Sequence, residues 1–363
     1  MRKRMLAAAA AVGVAASGLV AVVAVGSAAA NAAAASDTPD EIQQVPAKIT
    51  NIRPLLSGEW EATVVIGPIV AKAHDHDEPG QEPAPDPGHP HAGVISPMHG
   101  PDAPMHGAHT TARATISNSF CLGCYTTGVT PDLVYADGSR ADIDTGVMLH
   151  HSVLGEKGGL DHTCQSPEFR ERFGKRVYAS GNERTGAHLP AGFGMKTSGA
   201  DLVVEIELMN MTDQPKTVYH TLKTTVANPF FSFMMKRVEP VWLDQAGCDS
   251  ASEFPVPVGE SRHTWEWTST ISGTVKAVGG HLHDGGQTLT VSNAATGKVL
   301  CAMTAEYGTK PSSMGHLDKM TPVCTGTLGT VKRGEKLRQD STYHIKYADP
   351  GAMAISLVYI APY

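Results

Sequence analysis

Asp201-Leu202-Val203-Val204-Glu205-Ile206-Glu207-Leu208-Met209-Asn210-Met211 alternates along its length. Leu202, Val204, Ile206 and Leu208 fall on one side, and Val203, Glu205, Glu207 and Met209 on the other. A period of two is a strand signature, because successive side chains point to opposite faces. The same texture extends in both directions. Glu59–Ile66, Leu133–Tyr135 and Thr217–Leu222 read as strands on the N-terminal side and nearby. Thr264–Thr270, Thr274–Val278, Thr288–Ser292, Lys298–Met303, Thr342–Tyr347 and Met353–Tyr359 follow. Short Thr/Val-rich runs separated by Gly, Pro, Asn and Asp turns indicate β-sandwiches. The expected fold is all-β, with two tandem antiparallel β-sandwich (jelly-roll-like) domains over residues 46–237 and 238–363. The boundary follows the apolar run Pro229–Met235.

The N-terminus sets the expected compartment. Met1-Arg2-Lys3-Arg4, the Ala/Val run from Leu6 to Val25 and small residues up to Ala30 or Ala35 read as a secretory leader of bacterial style over residues 1–35. The remainder, roughly 330 residues, has the length of two domains. It is expected to be secreted, to act as a monomer, and to leave the membrane once the leader is removed. A net charge of −7 argues against nucleic acid or anionic membrane as the main partner, leaving a small-molecule or peptide substrate.

Six cysteines in an exported chain suggest three disulfides. Cys301 is expected to pair with Cys324, and Cys164 to reach back to Cys121 or Cys124. Cys121-Leu122-Gly123-Cys124 has the spacing of half a zinc site, but no second half exists. Residues 73–112 are rich in Pro, His and Asp with no apolar period, which predicts a disordered insert. It carries seven histidines, including His74, His99, His106 and His109, and two Met-His-Gly repeats.

Val278-Gly279-Gly280-His281-Leu282-His283-Asp284-Gly285-Gly286 places two histidines two apart on a strand, facing the same way. Such a pair can grip one metal ion. Met353, opening the last strand, would complete a His2Met set. Imidazole suits copper in both redox states and a thioether favours Cu(I), whereas zinc more often takes carboxylate or thiolate. A second pair, His150-His151, is adjacent in sequence, so both rings reach one ion only if the strand ends or bulges there. No Ser/His/Asp order, P-loop or dinucleotide fingerprint competes.

From about Cys121 onward the chain resembles the copper type II, ascorbate-dependent monooxygenases, the family of peptidylglycine α-hydroxylating monooxygenase and dopamine β-monooxygenase. Leu149-His150-His151 resembles that family's adjacent-histidine motif. Leu189-Pro190-Ala191-Gly192-Phe193-Gly194 resembles its Leu-Pro turn, His281-Leu282-His283 its His-x-His, and Met353 its C-terminal methionine ligand. The resemblance implies two β-sandwiches, each holding one copper across a solvent-filled cleft. His281, His283 and Met353 would form the oxygen-binding catalytic site. His150 and His151 would serve electron transfer, with ascorbate as reductant and C–H hydroxylation as the reaction.

Two departures qualify the resemblance. The family's third histidine at the electron-transfer site aligns near Glu207, with Met209 two residues on, and His162, His188 and His220 also stand as candidates. The arginine and tyrosine that hold the peptide carboxylate in peptidylglycine enzymes are replaced by Gly279 and Leu357, which argues against peptide amidation. The missing histidine and the His/Met-rich segment leave open a copper-binding or copper-buffering protein, on the same scaffold, without oxygenase activity.

Overall fold

The computed structural model describes residues 42–74, 107–117, 123–227, 229–248, 252–309 and 315–363. The expected leader and residues 75–106 of the His/Pro-rich segment lie outside them, as does Cys121.

Strands dominate these residues. In the first half they are β1 (Gln43–Gln44), β2 (Ala47–Pro54), β3 (Trp60–Ala71), β4 (Ala108–Ile116), β5 (Tyr125–Tyr135) and β6 (Val147–Glu156). A short helix, α1 (Pro167–Arg172), precedes β7 (Lys175–Ser180), β8 (Ala187–His188), β9 (Phe193–Lys196), β10 (Leu202–Asn210) and β11 (Lys216–Val226). The second half supplies β12 (Lys236–Asp244), β13 (Phe254–Val256), β14 (Gly259–Thr268), β15 (Gly273–Leu282), β16 (Gly286–Asn293) and β17 (Lys298–Tyr307). It ends with β18 (Leu317–Thr321), β19 (Cys324–Val331), β20 (Lys336–Ile345), β21 (Asp349–Ala352) and β22 (Ala354–Pro362).

The alternating stretch is β10, at the centre of a five-stranded sheet ordered β1-β4-β10-β6-β7. Its Val204, Ile206 and Leu208 are buried in a core shared with Val64, Ile66, Leu133, Val218 and Leu222 of β3, β5 and β11. A long sheet runs β19-β15-β22-β12-β9-β5-β11-β3-β2, and another five-stranded sheet runs β14-β20-β16-β17-β18. A second core lies between the β14-β20-β16-β17-β18 sheet and the β12-β15-β22 part of the long sheet, around Val278, Leu289, Met303, Leu337 and Val358. The all-β sandwich class expected from the sequence is therefore what the chain adopts.

β22 shows why these cores meet. Ile355, Leu357 and Tyr359 belong to the first, while Ala354, Val358 and Ile360 belong to the second. Because both of its faces are covered, every residue of β22 except Pro362 is buried. Strands buried on both faces read as continuous apolar runs rather than alternating ones.

Two sequence expectations need correction. Cys164 pairs with Cys248, not with Cys121 or Cys124. It sits in the loop between β6 and α1, where the folded chain brings it 5.4 Å (Cα–Cα) from a residue 84 positions later. The Cys301–Cys324 pair forms as expected. Cys124 is itself disulfide-bonded, so it offers no thiolate for zinc. The insert also ends earlier than its composition suggests. Residues 108–112 open β4, held by β10 in a register that sets His109 opposite Met209 and Thr111 opposite Glu207.

Candidate metal centre

The bulge that His150-His151 requires is present. Across β6 and β10, Glu207 stands opposite His151 but the next residue, Leu208, stands opposite Leu149. His150 is the extra residue. A bulge re-aims the side chain at the irregular position, and both rings come to one side with centroids 4.0 Å apart.

His281 and His283 arrive from the end of β15. Although the resemblance assigns the two histidine pairs to separate ions across a cleft, here they meet. Nitrogens of His150, His151 and His283 all lie within 4.8 Å of one another. The rings of His151 and His283 are stacked with centroids 5.1 Å apart, and their Nε2 atoms are 2.9 Å apart.

The outer nitrogens explain that approach. His283 Nδ1 donates to the Gly351 carbonyl oxygen at 2.8 Å. A carbonyl only accepts, so the proton sits on Nδ1 and Nε2 carries a lone pair. His151 Nδ1 donates to Glu207 Oε2 at 3.2 Å, which leaves its Nε2 in the same state. Two lone pairs then face each other and need a cation between them. A proton is poorly placed to serve. Burial and the neighbouring His150 hold His151 down to about 3, and burial with the surrounding imidazoles holds His283 well below the usual histidine range. A first-row metal ion serves better. Imidazole nitrogens at about 2.0–2.1 Å from one ion, near a right angle, stand about 2.9 Å apart.

Other donors also fit a metal. Nδ1 of His150 is buried without a hydrogen bond, 3.3 Å from Glu207 Oε1. His281 Nδ1 donates to Glu183 Oε2 at 3.1 Å, and its buried Nε2 has no hydrogen-bond partner. Carboxylates that hold the far nitrogen of a ligating histidine are a regular feature of metal sites. Glu183 is anchored by the Gly181 N–H at 2.9 Å. Gly181 also makes room, since a Cβ there would lie 2.7 Å from His281 Cε1. Burial raises the Glu183 carboxyl, but the His281 ring and the Gly181 amide outweigh it and keep it ionised.

Glu207 joins a second group. Its Oε1 lies 2.7 Å from His109 Nδ1, and His109, His150 and Glu207 can also converge on an ion. Burial opposes the Glu207 charge, but hydrogen bonds from His109 and His151 and the nearby His150 ring hold the carboxyl far below its ordinary range.

Each expected ligand has a definite place. Met353 is buried and lines one cavity with His151, His281 and Glu207. Its backbone oxygen accepts from the His283 N–H at 3.2 Å. Met209 packs with Ile143 and Met148 and lines a second cavity beside His109, His150 and His283. Three other candidates are engaged or placed elsewhere. His162 pairs with Thr270, His188 contacts Thr130 on the wall of Met353's cavity, and His220 is buried in β11. Sequence reasoning missed two contributors. His109 was one of many histidines in a biased segment, and only strand pairing distinguishes it. Glu183 follows β7 with no motif around it.

No protein-family model matches the chain. It is similar to "Probable copper-dependent oxygenase M1" of Phoma sp., 26% identical over 242 residues covering 63% of this chain and 59% of that protein. It is also similar to "Probable copper-dependent oxygenase clz3" of Cochliobolus lunatus, 26% identical over 225 residues covering 58% of this chain and 68% of that protein. The chain thus spans about three fifths of the length of the first relative.

Proposed function

We propose that this chain is an exported copper-dependent monooxygenase, hydroxylating a C–H bond of a small organic molecule with dioxygen and a reductant such as ascorbate. One observation carries the copper reading: His151 and His283, half-buried and each hydrogen-bonded through Nδ1, face each other with their Nε2 atoms 2.9 Å apart and a His150 nitrogen within 4.8 Å. His150, His151 and His283 would hold the ion, with His281 and Met353 at its border. Bound there, copper would supply the one-electron and dioxygen chemistry that side chains lack. The protein's own groups do the rest. Gly351 and Glu207 fix the tautomers of His283 and His151, Glu183 orients His281, and the Met353 thioether would favour the reduced state of a copper held there. The adjoining cavity would hold the substrate and exclude water. Export is supported by the expected leader and the disulfides, and no helix among the described residues is long and apolar enough to cross a membrane.

A second reading, a copper-holding protein without oxygenase activity, has one observation in its favour. His109, His150 and Glu207 make a nitrogen and oxygen donor set partly open to solvent, a set suited to Cu(II). Elemental analysis of wild type, His151→Ala and His283→Ala tests the copper reading, with retention of full copper by both variants overturning it. Ascorbate-driven oxygen uptake by the copper-loaded protein separates the two readings.

A further inference from the structure

The cavity beside Met353 has a volume of about 300 Å³, at the small end of the range for small-molecule sites. One wall is the face of β6 and β10 that the alternation marks as polar, carrying His151, Val153, Glu205 and Glu207. The other wall is β15 and β22, carrying Ala277, Gly279, His281, Ile355, Leu357 and Tyr359, with Met353 just ahead of β22. Of the histidines proposed to hold the ion, His151 lines this slot, and apart from His281 the residues of the β15–β22 wall are apolar.

The charges on this lining are largely spent. Arg176 is buried, bonded to Asp161 at 2.9 Å and sandwiched between the rings of Phe169 and Trp242 at 4.5 and 4.3 Å. Arg172 forks onto Glu205, which also takes Arg113. Glu207 is taken by three histidines. Glu253 is the remaining acid and is exposed to solvent. The aromatic polar tips are also engaged. Tyr178 donates to Thr185 O at 2.5 Å, Tyr359 to Val177 O at 3.1 Å, and Trp242 Nε1 to Asp244 at 3.2 Å. What these rings offer the cavity is apolar surface.

Gly279 and Leu357 decide the chemistry. They stand directly opposite each other on β15 and β22, and both line the slot. No heavy atom lies within 4 Å of a Cβ added at Gly279. The space is open, and neither residue brings a cation or a phenol to it.

We propose that this cavity binds a neutral, apolar or aromatic small molecule as the substrate, and rejects carboxylates and ammonium ions. The proposal rests on the oxygenase reading for the word substrate, but the binding itself needs neither copper nor oxygen. A carboxylate would lose hydration here without finding a free cation, and an ammonium would meet only Glu253, exposed to solvent where its attraction is screened.

A matched series tests it: 4-phenylbutan-1-ol, 4-phenylbutyrate and 4-phenylbutylamine, titrated calorimetrically into the full chain with and without copper. The alcohol is expected to bind at least about tenfold tighter than either ion, since an unpaired charge costs more than one factor of ten in affinity. Gly279→Leu should weaken the alcohol about tenfold while leaving the melting temperature and copper content unchanged, because its side chain fills open space. Gly279→Arg should shift the preference toward the carboxylate. Equal or tighter binding of either ion, no binding of the alcohol, or unchanged affinity in Gly279→Leu overturns the proposal. Alcohol binding without oxygen uptake would leave it standing and count against the oxygenase reading alone.

Discussion

Glu207 is one carboxylate with three imidazoles around it, and its role follows from that count. It takes the Nδ1 protons of His109 and His151 and lies beside His150, so it sets which nitrogens stay free. Glu207→Gln keeps the shape but loses the charge and half of the acceptors. Copper affinity, measured against a competing chelator, should fall about 10–100-fold, as for other outer partners of ligating histidines. Asp244 illustrates a different effect. Burial pushes its carboxyl up to about 6 despite hydrogen bonds from the Ala246 amide and Trp242. Between its unfolded value near 3.8 and about 6, the folded chain holds a proton that the unfolded chain has released. Stability from this group is thus fully present below pH 4 and is lost as pH rises to about 6. The difference in unfolding free energy between Asp244→Asn and wild type should change in favour of the variant by about 3 kcal/mol across that window, at about 1.4 kcal/mol per pKa unit. A difference that is flat with pH would refute the assignment.

At the scale of elements, the centre depends on how β6 is held. Its bulge turns His150, and its far end is pinned where Gly155 meets the end of α1. A Cβ on Gly155 would lie 1.9 Å from the Phe173 carbonyl oxygen. Gly155→Ala should therefore destabilise the fold by about 1–3 kcal/mol in denaturant unfolding, the usual cost of overpacking. The Cys164–Cys248 bridge ties the loop after β6 to the end of β12 across 84 positions. Replacing both cysteines with serine should cost about 2–5 kcal/mol, read from the denaturation midpoint. Alternation made β10 legible as a strand, and the adjacency of two histidines implied a bulge. Neither signal could select Cys248 as the partner of Cys164, because pairing depends on which loops the fold brings within reach.

On the scale of the whole molecule, β22 serves two cores at once. Val358 and Ile360 pack toward one, and Leu357 and Tyr359 toward the other. Loss of packing on one side therefore removes support from the other. Ile360→Ala should lower stability by about 2–5 kcal/mol, and thermal unfolding should remain a single transition by tryptophan fluorescence and near-ultraviolet dichroism. Two separated transitions would show instead that the halves unfold independently.

The sequence by itself determined the β texture, the Cys301–Cys324 pair and the histidine and methionine candidates, since each is written in a local pattern of period, spacing or residue type. Only the tertiary structure decided that His150-His151 and His283 share one centre. It also brought His109 and Glu183 to that centre and set Gly279 opposite Leu357 on the cavity wall. His151 and His283 alone are 132 positions apart. These relations arise from strand pairing and from packing of the β6-β10 face against β15 and β22. A local period shows which way a side chain points, but not what it meets.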